Sequence, residues 1–147
     1  MRHFKIALAM LLVCSTPALA EKTLIESPDA PKAIGPYSQA IKSGNLVFVS
    51  GSLPFDPAGK IDYSALDVAT QTKRVIDNIA LTLSAAKLTL DDVVSATVYV
   101  TDVNDFAAVN AVYASYFKAP YPARTFVEVS KLLRNVKVEI TVIAATK

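Results

Sequence analysis

Alternation with a period of two dominates the C-terminal end of the chain. Across residues 136–145, Val136, Val138, Ile140, Val142 and Ala144 fall on one side and Lys137, Glu139, Ile143 and Ala145 on the other. That is the mark of a strand with one face in a core. Residues 93–100 show a second β-branched run, and residues 124–129, following Pro122, read as a further, buried strand. Near the other end, residues 22–26 read as a short first strand. Residues 37–42 and 46–50 read as two strands joined by Ser43-Gly44-Asn45, a hairpin.

Between these strands the period changes to 3.6. Asp67 caps a helix whose apolar stripe is Val68, Val75, Ile76, Ile79, Leu83 and Ala86. Asp102, with Asp105 three residues on, opens a second that carries Phe106, Val109, Tyr113, Tyr116 and Phe117 on one side. The order ββ, helix, β, helix, ββ predicts an α+β mixed sheet with both helices on one face. A chain of 147 residues, 52% of them hydrophobic, is enough for one such domain. Two helices cover one side of the sheet, while Ile143 and Ala145 turn the other side apolar. A homo-oligomer that buries the open face is therefore expected.

Residues 1–20 are of another kind. Arg2 and Lys5 form a positive head, residues 6–13 an apolar run, and Ala18-Leu19-Ala20 a small-residue cleavage signature before Glu21. This predicts a secretory signal peptide followed by a single domain over 21–147, delivered across the inner membrane to the periplasm. The run is too short to span a bilayer. Lipoprotein processing at Cys14 is the alternative, with Leu12-Val13 ahead of it where a small residue belongs.

Removing that segment changes the chemistry available. It holds two of the fifteen Lys+Arg residues and none of the thirteen Asp+Glu, so residues 21–147 carry thirteen of each and are neutral. Neutrality gives no footprint for nucleic acid or an anionic membrane. His3 and Cys14 are the chain's sole histidine and cysteine, so neither type remains after residue 20. A disulfide, a thiolate nucleophile, a Ser-His-Asp triad and an ordinary zinc site are thereby excluded from 21–147. Asp56, Asp62 and Asp67 are spaced too irregularly for a calcium loop.

Two charged residues in strands remain as candidates. Arg124 at a strand mouth is either a solvated terminal charge or a fixed clamp for a carboxylate. Glu139 between Val138 and Ile140 is either on a solvated face or held in a site. A hairpin between the last two strands would bring the pair into one region of the sheet. Ser84-Ala85-Ala86-Lys87 matches S-x-x-K without its companion motifs and is read as coincidence. Tyr113 and Tyr116 are read as core or interface.

Five segments taken together, "AIGPYSQAI" (33–41), "VSGSLP" (49–54), "DVNDFAAVNAVYASYF" (102–117), "YPARTFVEV" (121–129) and "VKVEITVIA" (136–144), resemble the reactive intermediate deaminase family, RidA/YjgF. The resemblance covers essentially all of 21–147. It implies a homotrimer of chorismate-mutase-like subunits with clefts between them. It also implies hydrolysis of 2-enamine and 2-imine acids, of the 2-aminoacrylate and 2-iminobutanoate type, to 2-keto acids and ammonia, with no metal or organic cofactor. The family's carboxylate-binding arginine falls on Arg124 and its site glutamate on Glu139. Its pocket tyrosine, serine-glycine pair and helix asparagine fall on Tyr37, Ser50, Gly51 and Asn110. Backbone N–H groups near Gly51 and Phe126 would support the substrate.

The chain departs from the family pattern at Phe126, where cysteine is frequent, and at Ser52, where glutamine is. Both bear on substrate preference, and export would separate the protein from the cytosolic enzymes that generate 2-aminoacrylate. Rival functions are a non-catalytic small-acid-binding trimer, a chaperone-like trimer using exposed apolar surface, and a ribonuclease. The last is disfavoured by the neutral, histidine-free composition of 21–147.

Overall fold

The computed structural model describes residues 21–58 and 60–146. The expected signal peptide, residues 1–20, lies outside the described residues.

Six strands form one sheet: β1 (Lys22–Ile25), β2 (Ala40–Ser43), β3 (Leu46–Ser52), β4 (Val93–Val100), β5 (Ala123–Glu128) and β6 (Val138–Ala145), in the spatial order β1-β2-β3-β6-β4-β5. Helices α1 (Val68–Ala85) and α2 (Phe106–Tyr116) connect β3 to β4 and β4 to β5. All neighbouring strands are antiparallel except β4 and β5, which the α2 crossover makes parallel. The result is the expected α+β mixed sheet, with both helices on one face and packed on each other.

Core formation follows the two periods. From β6, Val138, Ile140, Val142 and Ala144 are buried, joined by Val47 and Val49 of β3 and Ala96, Val98 and Val100 of β4. Against them α1 sets Val68, Val75, Ile76, Ile79 and Leu83, and α2 sets Val109 and Tyr113. The Asp67 side chain accepts hydrogen bonds from the Thr70 N–H at 2.9 Å and the Thr70 hydroxyl at 2.8 Å, ending α1 as its sequence predicted.

Several expectations change. The first hairpin strand begins at Ala40 rather than at residue 37. Pro36 and the close Tyr37 N–H to Gly35 carbonyl bond, 2.8 Å, keep Tyr37 in a bend ahead of it. The hairpin itself turns on Gly44 (φ 59°) and Asn45, and the positive φ is the conformation that the glycine permits. Asp102 caps a short 3-10 turn, Val103–Asp105, and α2 starts only after it. The strand expected over 124–129 is β5, one edge of the sheet, and is largely exposed, with Phe126 alone half-buried within Ala123–Glu128. Most consequentially, β5 and β6 are not a hairpin: β4 lies between them.

Two buried amides tie the loops to this frame. Gln71 accepts from the Lys137 N–H at 2.8 Å and donates to the Leu66 carbonyl at 2.9 Å. Asn78 donates to the carbonyls of Leu53 and Phe55 at 3.0 and 2.9 Å and accepts from Arg74. The segment leaving β3 is thereby held on α1. Asn78→Leu keeps the side-chain size but strands both carbonyls, so urea unfolding should show a stability loss of about 2–4 kcal/mol with an unchanged m value.

Candidate active site

The two charged residues named from the sequence stand on opposite faces of the sheet. On the helix-covered face at the outer edge stands Arg124. Its β4 neighbour is Ala96, which is buried, so its side chain emerges on the same side as α2. The guanidinium carbon lies 4.6 Å from the centre of the Tyr113 ring and 6.0 Å from those of Phe106 and Phe126. Phe106 and Phe126 meet edge to face at 5.0 Å. Among the described residues the Arg124 guanidinium has no hydrogen-bond or carboxylate partner; three aromatic rings are what hold it. A guanidinium held through its face keeps its N–H edges free for an anion.

Asn110 stands one helical turn before Tyr113 on α2. The Asn110 Oδ1 and the Tyr113 hydroxyl are both buried without a partner among the described residues. Burial raises the Tyr113 phenol above its ordinary pKa, with the Arg124 charge opposing.

Glu139 is on the other face. Its register partner is Tyr99, and its neighbours Val138 and Ile140 point into the core, so the carboxylate projects onto the open side. There it lines a cavity of about 370 Å³ with Gly51, Tyr99, Val129, Lys131, Leu132 and Thr141. Burial pushes its pKa above the usual carboxylate value.

Gly51 meets Glu139 because of a bulge. Pairing of β3 with β6 shifts between Val49 and Ser52, so that Ser50 and Gly51 both oppose Thr141. The Thr141 hydroxyl donates to the Val49 carbonyl at 2.6 Å. A Cβ at position 51 would collide with the Glu139 carboxyl group, whose Cδ is 2.9 Å away. The glycine thus makes room for the carboxylate. Ser50 and Gly51 also line a small recess with Tyr37. There the Ser50 hydroxyl donates to the Ser38 carbonyl at 2.7 Å, and the Tyr37 hydroxyl accepts from the Ile34 N–H at 3.2 Å.

The chain therefore brings Gly51 to Glu139 and, in an adjoining recess that Gly51 also lines, to Tyr37 and Ser50; separately it brings Phe126 to Arg124, with Asn110 one helical turn from the Tyr113 ring beneath. It does not join the groups. Arg124 pairs with Ala96 and Glu139 with Tyr99, three positions along β4 and on either side of it. At ordinary strand spacings that is about 10 Å along and about 10 Å across, with the side chains facing opposite ways.

Sequence reasoning missed Tyr99, Lys131 and Thr141 as neighbours of Glu139, and Tyr113 as the surface under Arg124. Alternation places Tyr99 and Thr141 on the open face, but only the antiparallel register of β4 with β6 puts them beside Glu139. Among the described residues no group of three or more His, Cys, Asp or Glu could hold a metal ion.

The endoribonuclease L-PSP family model matches residues 27–146. A RutC family protein of Pyrococcus horikoshii is 50% identical over 124 residues, covering 84% of this chain and 97% of its own. The 2-iminobutanoate/2-iminopropanoate deaminase of E. coli is 43% identical over 126 residues, covering 84% and 97%. The crystal structure of E. coli TdcF with bound serine is similar with a TM-score of 0.80 at 41% identity, over 86% of this chain and 100% of that one.

The Glu139 shift has a definite sign. Its folded-state pKa lies above the ordinary 4.5, so the folded chain holds the proton more tightly than the unfolded chain. That contribution is complete below about pH 4.5 and is lost as pH rises through the raised value. Glu139→Gln should match the wild-type melting temperature at pH 4 and exceed it at pH 8. Thermal unfolding at the two pH values checks this.

Proposed function

The chain belongs to the endoribonuclease L-PSP family, which includes the RidA-type reactive intermediate deaminases, and on that premise we propose that it hydrolyses 2-imino acids to 2-keto acids and ammonia. The observation that carries this reading is the Arg124 guanidinium, set on three rings with no anion to neutralise it among the described residues. The 43% identity to a 2-iminobutanoate/2-iminopropanoate deaminase supports the same substrate class.

The chemistry asks little of the protein. Arg124 takes the substrate carboxylate through two parallel N–H bonds, fixing its plane as well as its position. The neighbouring C=N carbon is already electrophilic. Water adds to it as Glu139 accepts the water proton, and the raised pKa of Glu139 brings its proton affinity closer to that needed near neutral pH. Glu139 returns that proton to nitrogen, the adduct's hydroxyl proton passes to the amine, the C–N bond breaks, and the keto acid and ammonia leave with Glu139 again ionised. An enamine substrate first gains a proton on its terminal carbon and loses one from nitrogen to become the imine.

Opposite faces of one sheet cannot supply both groups to one small molecule. The reading therefore requires the cleft to form between copies, with Arg124, Asn110 and Phe126 from one subunit facing Tyr37, Ser50, Gly51 and Glu139 of the next. The open face suits such an assembly: Leu24, Phe48, Val94 and Val127 are exposed, between 36% and 53%. A homotrimer closes this heterologous contact. For residues 1–20 we retain the proposal of an export signal to the periplasm.

The ribonuclease suggested by the family's description is less well supported, because residues 21–147 are neutral and lack histidine. Salt-dependent RNA binding would revive it.

The test generates 2-iminobutanoate from threonine with a dehydratase and follows keto-acid release against semicarbazide trapping. Arg124→Ala should lower kcat/KM about 10- to 100-fold, with Arg124→Lys recovering only part of the loss. Glu139→Gln should lower kcat by about 100-fold or more. Co-expressing the Arg124→Ala and Glu139→Gln chains should restore roughly a quarter of wild-type activity, since every mixed trimer rebuilds one intact cleft. No recovery in verified mixed trimers would sink the shared site.

A further inference from the structure

We propose that Tyr113 is the positioning residue for the Arg124 guanidinium: its ring is the platform that holds the cation, and so selects an anionic over a neutral substrate. This deepens the reading of Arg124 as a carboxylate clamp and rests on it.

Of the three rings around Arg124, Tyr113 is the nearest, at 4.6 Å against 6.0 Å for the other two. It is also the most deeply buried of the three. Tyr113 is 4% exposed, whereas Phe106 is 46% exposed. Its far side stacks on Phe117, with centroids 4.2 Å apart and planes 19° from parallel, and Phe117 is itself 2% exposed. Guanidinium, Tyr113 and Phe117 therefore form a column whose lower two layers belong to the core.

Arg124 is otherwise unrestrained. It stands on the exposed edge strand and its side chain has no hydrogen bond or ion pair among the described residues. Without a platform a long side chain at an edge samples many rotamers, and ordering it on binding weakens affinity. A carboxylate platform would order it equally well but would neutralise it and occupy its donors. An aromatic face orders the cation and leaves its N–H edges free.

The tyrosine hydroxyl is not what the arrangement uses. It is buried with no partner among the described residues, a condition that ordinarily destabilises the fold. The ring accounts for an aromatic residue here and the hydroxyl does not, so phenylalanine should serve as well.

The experiment measures binding of 2-oxobutanoate and its neutral analogue 2-oxobutanamide by calorimetry, on the assembled protein, for wild type, Arg124→Ala, Tyr113→Phe, Tyr113→Leu and Tyr113→Met. Tyr113→Phe should bind the acid within about twofold of wild type and be at least as stable. Leucine and methionine both keep apolar volume and remove the π face. Either should weaken the acid about 3- to 10-fold while leaving the amide unchanged.

A purely structural role predicts something different, parallel losses for acid and amide, and that result would overturn the proposal. So would a folded leucine or methionine variant that binds the acid as tightly as wild type while Arg124→Ala does not. If wild type itself fails to prefer the acid, the clamp reading falls and the platform with it. Should neither non-aromatic variant fold, the wild-type protein still decides. By NMR the Arg124 Nε–H resonance should be shifted by ring current, and the side chain ordered before ligand is added. A mobile side chain at its random-coil position would refute the platform.

Discussion

Strand alternation in β6 is the constraint on which the rest depends. This strand lies inside the sheet between β3 and β4, so every second side chain, from Val138 to Ala144, must fill the space beneath the helices. Slipping it by one residue would bury Glu139 and expose Ile140, and no arrangement of α1 could compensate. With the register thus held, the carboxylate is committed to the open face. The same pleat, carried across β4 to β5, commits Arg124 to the helix face. The separation of the two charges is thus a consequence of core packing, and it is what the proposed cleft between copies would reconcile with joint action.

The two half-sites are built differently, and each construction suits its charge. Glu139 sits beside a bulge, with a glycine where any side chain would displace it and burial raising its proton affinity. Arg124 sits on an exposed edge, ordered by aromatic faces that leave its charge unspent. A cation that must receive an anion needs free donors. A carboxylate that must accept a proton needs a dry, close environment.

Composition restricts the reaction as strongly as geometry does. With no histidine or cysteine after residue 20, acid, base and anion-binding roles fall to carboxylates, arginine, lysine, tyrosine, hydroxyls and backbone groups. Hydrolysis of an imine is within reach of that set, because the substrate supplies its own electrophile and the protein need only place it and move protons.

Much of this was legible in the chain and some was not. The 3.6 period with Asp67 at its head determined α1, and the alternation from Val136 to Ala144 determined that β6 has one buried face, because both are local patterns that burial must respect. The residue identities also marked Arg124 and Glu139 as the charges to explain. Strand order was not legible: β5 and β6 are consecutive, joined by a short loop, and read as a hairpin until β4 is seen to pair with both. Nor was the role of Tyr113, since a helix stripe says that a ring is buried and not what lies upon it. Short-range periodicity specifies which way each side chain points within its own element. Which elements become neighbours, and therefore which side chains meet, is decided by long-range pairing, and only the folded sheet contains it.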